Sequence, residues 1–189
     1  MAINLEKGQR QSIDAPKFTV GLGWDSNSSN TGSSFDVDAS VFLVGANGKI
    51  PNDNHFVYYN NLKSPDGAVI HTGDNLTGDG DGDDEKIQID LSKISADVHE
   101  ISFVVTIHQA ETKRQNFGQI RNSFIRILDQ SNVELVKYEL DEDFSIETAV
   151  EFGRLYRRDG HWKFEASGIG YKEDLAFFVS KYFTGQVIK

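Results

Sequence analysis

The sequence predicts a mainly β protein, a two-sheet β-sandwich with peripheral short helices, and three features carry that prediction. Nine short runs rich in Val, Ile, Phe, Tyr and Thr recur between clusters of Gly, Asn, Asp and Ser, the pattern of strands separated by turns. Residues 86–91 alternate strictly, with Ile87, Ile89 and Leu91 on one face and Lys86, Gln88 and Asp90 on the other, as a half-buried strand requires. Helical patterning is confined to two stretches, so strands dominate and must cover one another's apolar faces.

In chain order the expected strands are 18–24, 35–44, 56–60, 68–71, 86–91, 101–107, 123–128, 133–140 and 161–166. Gly45-Ala46-Asn47-Gly48 and Ser64-Pro65-Asp66-Gly67 read as tight turns, each implying a hairpin. The first expected helix is 145–158, with Ser145 as N-cap and Gly160 just past its end; the second is 172–183. Three prolines and no low-complexity tract leave little material for a linker, so residues 1–189 read as one domain. A chain of this length buries roughly 70% of its unfolded surface and does not need disulfides or a metal merely to fold.

Composition narrows the function. The absence of cysteine excludes a disulfide scaffold, a thiolate zinc site, a CxxC redox motif and a cysteine nucleophile. A net charge of −10 argues against binding nucleic acid or anionic membrane through bulk charge and makes a cation the natural partner. The N-terminus lacks a charged segment followed by an apolar core, and no later stretch approaches a membrane span, so the chain reads as soluble and cytoplasmic.

The acidic segment DNLTGDGDGDDEKIQID, residues 74–90, concentrates the charge: seven acids against one base, Lys86. In extended backbone Asp79, Asp81 and Asp83 share a face, while Gly78, Gly80 and Gly82 let the main chain bend around a ligand and offer its carbonyls. Two carboxylates about 5 Å apart repel by about 3 kcal/mol at an effective dielectric of about 20, so three held together need a cation or protons. Carboxylate, amide and carbonyl oxygens in a pliable loop suit calcium better than magnesium. The spacing is not that of an EF-hand, since Asp84 and Asp90 stand where that motif has Gly and Glu. A solvated Gly-Asp loop is the plain alternative. Against it stand Asp36 and Asp38, two apart on one face of a strand, Asp25 at a strand end, and Asn60 and Asn61 closing FVYYNN. In a sandwich such loops gather at one edge and would build one or two adjacent sites.

Other constellations fail. His55, His71, His99, His108 and His161 show no metal-binding spacing and read as strand-edge or surface residues. No GxSxG or phosphate-binding glycine loop occurs. Arg154, Arg157 and Arg158 read as cations favouring the C-terminal dipole of the first helix, and Trp24 and Trp162 as core.

At these residues the sequence resembles the TerD family of bacterial tellurium-resistance and general-stress proteins. The resemblance is carried in order by GLGWD, FDVDAS, YYNNLKSPDG, HTGDNLTGDGDGDDE, RQNFG, ETAVEFGRLYR and WKFEASGIGY, and the acidic GDGDGDDE core is its most specific part. It implies a C2-like β-sandwich that binds calcium through Asp-rich loops. The ligands it implies are Asp25, Asp36, Asp38, Asn60, Asp74, Asp79, Asp81, Asp83 and Glu85, with Asn75 and Asp84 as outlying candidates. The function it implies is a non-enzymatic, calcium-binding cytoplasmic stress-response protein acting through calcium-ordered protein interactions. Its partners would be calcium, other tellurium-resistance or stress proteins and a membrane-associated complex, with no nucleic acid among them. Two rivals from other classes stay open: a metal-dependent phosphohydrolase clamping a phosphoryl group between two ions, and a calcium-dependent docking module for anionic membranes.

Overall fold

Strands with one apolar face must find a second layer, and this chain supplies it from its own sequence. The computed structural model describes residues 2–26, 35–72, 83–140 and 146–183. Twelve strands among them form two six-stranded sheets. The first sheet runs β1 (Ile3–Leu5), β10 (Glu134–Glu139), β9 (Ile120–Leu128), β3 (Lys17–Ser26), β7 (Glu85–Asp90), β6 (Val69–His71). The second runs β2 (Arg10–Ile13), β12 (His161–Tyr171), β11 (Ala149–Arg158), β8 (Val98–Ile107), β4 (Val37–Gly45), β5 (Phe56–Val57). All pairings are antiparallel except β1 with β10.

The core lies between the sheets, where Val20, Leu22, Ile87, Ile125 and Ile127 of the first meet Val41, Leu43, Ile101, Phe103 and Leu155 of the second. Burying each such side chain stabilises the fold by roughly 1.5–3 kcal/mol. A second apolar cluster covers the outer face of the second sheet. There α2 (Leu175–Tyr182) lays Leu175, Phe178, Val179 and Tyr182 over Phe42, Val44 and Val104. These four recur at i, i+3, i+4 and i+7, one stripe of a helix. Asp174 caps α2 by accepting from the Phe177 N–H at 3.2 Å, and the Tyr182 carbonyl accepts from the Ile50 N–H at 2.7 Å. Among the described residues no helix is long and apolar enough to cross a membrane.

All nine expected strands form, with shifted bounds: the 56–60 run is paired only at Phe56–Val57, because Tyr58 and Asn61 close a tight turn whose tip is Tyr59-Asn60. Both expected turns form, with the Gly48 N–H bonding to the Gly45 carbonyl and the Gly67 N–H to the Ser64 carbonyl, each at 3.0 Å. The expected second helix appears as α2. The expected first helix does not: residues 149–158 are strand β11, paired with β8 and β12. Against β8, a bulge between Glu151 and Gly153 puts an extra residue, Phe152, into the strand, so Ala149, Phe152, Leu155 and Tyr156 fall at helix-like intervals. Gly160 is no C-cap. Asp159 and Gly160, at φ 53° and 76°, form the two-residue hairpin turn joining β11 to β12. Arg154, Arg157 and Arg158 therefore lie on a strand, where Arg154 pairs with Glu100 and Glu165 at 3.1 Å. His71 and His55 are buried rather than at the surface, whereas both tryptophans lie in the core as expected.

Candidate metal centre

The strand register brings the described ones among the predicted acidic positions to one end of the sandwich. Leu22 pairs with Glu85, Ser26 with Ile120, Val37 with Ile107 and Thr106 with Ala149, so β3 and β8 end where β7, β9, β4 and β11 begin. Residues 26 and 35, and 72 and 83, bracket two chain segments at this end. Asp74, Asn75, Asp79 and Asp81 lie outside the described residues.

Alternation along β4 sets the first group. Phe35 and Val37 enter the core, which turns Asp36 and Asp38 to the outer face of the second sheet. Among the described residues, buried Asp36 Oδ1 has no hydrogen-bond donor, while the Asp36 carbonyl accepts from the His108 N–H at 2.7 Å. Asp38, itself 7% exposed, lines a cleft of about 780 Å³ shared with Tyr59, Thr106, His108, Thr148 and Leu175. Asn60 stands exposed at the turn beside Tyr59. Asp25, exposed at the end of β3, accepts from the Asn122 amide at 2.6 Å.

The second group, Asp83 to Glu85, leads into β7, and each carboxylate already has a fixed donor. Asp83 lies across the outer face of the first sheet, where Arg126 Nε donates to Oδ1 at 2.8 Å and Nη2 to Oδ2 at 3.1 Å. Hydrogen bonding to Asp83, against the opposing effect of burial, holds the Arg126 pKa above its ordinary value. Asp84 Oδ2 accepts from the Trp24 N–H at 2.7 Å. Glu85 follows the inward alternation of Ile87 and Ile89 and is 2% exposed. Its Oε2 accepts from the Ala39 N–H at 3.0 Å and contacts His71 Nε2 at 2.9 Å, tying the two sheets together. The carboxylates thus share one end of the molecule but diverge over three surfaces. Among the described residues no three His, Cys, Asp or Glu side chains stand close enough to hold an ion.

Arg126 and His71 are the partners that sequence reasoning missed. A signal for Arg126 exists in Gly21-Leu22-Gly23, where Gly21 faces outward directly opposite Arg126 in the register and leaves the space that Asp83 occupies.

Comparison with known proteins matches this arrangement to a family. The model of the TerD domain matches residues 1–182. General stress protein 16U of Bacillus subtilis is 50% identical over 188 residues, covering 96% of this chain and 97% of the relative. Tellurium resistance protein TerD of Alcaligenes sp. is 51% identical over the same length, with 96% and 97% covered. Among solved structures, a homologue of telluride resistance protein TerD from Streptomyces coelicolor A3(2) superposes with a TM-score of 0.71 at 21% identity, over 87% of this chain and 95% of that one, and shares the fold. With a domain model spanning nearly all of it and relatives half identical end to end, this chain belongs to the TerD family.

Proposed function

We propose that this is a non-enzymatic, calcium-binding cytoplasmic stress-response protein of the tellurium-resistance type, in which the ion orders the acidic end of the sandwich for interaction with other proteins. The observation that carries the reading is Asp36 Oδ1, a buried carboxylate oxygen without a donor among the described residues, next but one in sequence to buried Asp38 and at the end where the 73–82 segment joins the fold. Leaving such a group unpaired costs roughly 1–3 kcal/mol, a deficit that a cation removes. Asp36 and Asp38 would hold calcium together with Asp74, Asp79 and Asp81, with Asp25, Asn60 and Asn75 as further candidate oxygens. Such oxygen donors suit a hard ion with 6–8 ligands. The names of the relatives support the stress and tellurium-resistance role. Reduction of an oxyanion would need an electron source, and a chain without cysteine offers no thiol and no iron–sulfur ligands.

Titration calorimetry with calcium and magnesium tests the proposal. Calcium should bind to the wild type more tightly than magnesium, and Asp36→Asn, which keeps an oxygen but removes a charge, should weaken it by about tenfold or more. Equal calcium affinity in wild type and Asp36→Asn would remove Asp36 from the site, and absence of calcium binding would end the reading. Metal-dependent turnover of phosphoesters or tellurite by the purified protein would replace it with an enzyme, and calcium-dependent sedimentation with anionic vesicles would replace it with a membrane-docking module.

A further inference from the structure

We propose that Arg126 is the positioning residue of the acidic segment, and that Asp83, which it grips, is an anchor for that segment and not a ligand of the ion. This rests on the calcium reading above and assigns a different task to one of the residues that the family resemblance offers as a ligand.

The geometry begins with Gly21. It lies on the outward face of β3, paired with Arg126 of β9 on one side and Lys86 of β7 on the other. A side chain there would fill the space now taken by the Asp83 carboxylate, since an added Cβ overlaps all three of its outer atoms. Asp83 therefore leaves the start of β7, crosses the bare backbone of Gly21 and meets the Arg126 guanidinium edge-on. The two parallel hydrogen bonds, 2.8 and 3.1 Å long, use both carboxylate oxygens. The Asp83 side chain is 1% exposed and that of Arg126 26%. Glu134 receives the third donor, Nη1, at 3.1 Å, and the Phe124 ring lies 5.6 Å beneath the guanidinium carbon. The guanidinium is thus held on three sides. A planar fork fixed in this way dictates both the position and the orientation of the carboxylate it binds.

The consequence for the ion follows from connectivity. Asp83 follows Asp81 by two residues in the chain, and the next residue is locked too, because the Asp84 N–H donates to the Leu22 carbonyl at 2.8 Å. One end of the segment that carries Asp79 and Asp81 is therefore fixed before any ion arrives. A pre-placed end lowers the ordering cost of binding, which is how outer partners that never touch a metal change its affinity by about 10- to 100-fold. As a ligand, Asp83 would offer only the lone pairs that its two hydrogen bonds leave, and would bring the Arg126 guanidinium up beside the ion.

A double-mutant cycle read by calcium calorimetry separates anchor from ligand. If Asp83 is an anchor, Asp83→Asn and Arg126→Gln each weaken calcium by about 10- to 100-fold, and the double variant is no weaker than either alone. Gly21→Ala, which changes no charge, should lose affinity as well by displacing Asp83 from the fork. Asp14→Asn, which removes an exposed charge before β3 at the opposite end of that strand, should bind within about twofold of wild type. Arg126→Gln leaves a buried carboxylate uncompensated and is the variant most at risk of not folding. The neutral pair and Gly21→Ala still decide the question, with far-UV circular dichroism in chelator confirming their folds. A double variant weaker than both single ones by the product of their effects would make Asp83 a ligand. Wild-type affinity in folded Arg126→Gln or Gly21→Ala would overturn the role of Arg126. Failure of the wild type itself to bind calcium would instead overturn the underlying calcium reading, and this proposal with it.

Discussion

Gly168 shows how tightly single residues are specified in this sandwich. It sits on β12 at φ 58°, a conformation open to glycine, and a Cβ there would overlap the buried Tyr138 hydroxyl from the opposite sheet. Gly168→Ala should destabilise the fold by about 2–6 kcal/mol, strain and overpacking together, measured by chemical denaturation. Asp66 makes a different single-residue contribution. Its carboxylate accepts from Ser64 Oγ at 2.7 Å and from the Ala68 and Ser95 N–H groups at 2.9 Å, pinning the 64–67 turn to the segment before β8. Burial raises its pKa, but these hydrogen bonds outweigh burial and hold it below the ordinary carboxylate value. A depressed folded pKa adds stability that is present above the unfolded value of about 4 and is lost as pH falls through that value to the folded one. Asp66→Asn should therefore lower stability at neutral pH and flatten the acid limb, so that the two proteins converge once the pH has fallen below the depressed folded value. Parallel acid limbs would contradict this role.

At the scale of elements, α2 ties the C-terminal part of the chain to the second sheet. Phe178, fully buried, makes edge contacts with Tyr171 and Phe177, with ring centroids 5.1 and 5.3 Å away. Phe178→Ala should cost about 3–5 kcal/mol if α2 unfolds with the whole protein. A smaller loss, with early amide exchange confined to α2, would make the helix an independently opening unit. The sequence showed this helix because its apolar stripe is a local signal. It hid β11, where a bulge shifts the apolar positions to helix-like spacing and only the Asp159-Gly160 turn betrays a hairpin. β1 and β2 escaped because three- and four-residue strands are too short for periodicity to register, and their pairing with β10 and β12 is long-range. The candidate site divides in the same way. Asp36 and Asp38 stood out through local alternation, whereas the grip of Arg126 on Asp83 and of His71 on Glu85 depends on strand register, which no local pattern reveals.

For the whole molecule, the acidic residues at one end are the organising fact. Under the proposed reading, a cation that binds only the assembled end should stabilise the entire sandwich by mass action. The measurement that bears most directly on this is thermal unfolding in calcium and in chelator. With free calcium about 100 times the dissociation constant, one site adds about 2.7 kcal/mol, which for a chain of this size raises the midpoint by roughly 5–11 °C. Magnesium at the same concentration should raise it less. Coincident midpoints in saturating calcium and in chelator would contradict the account.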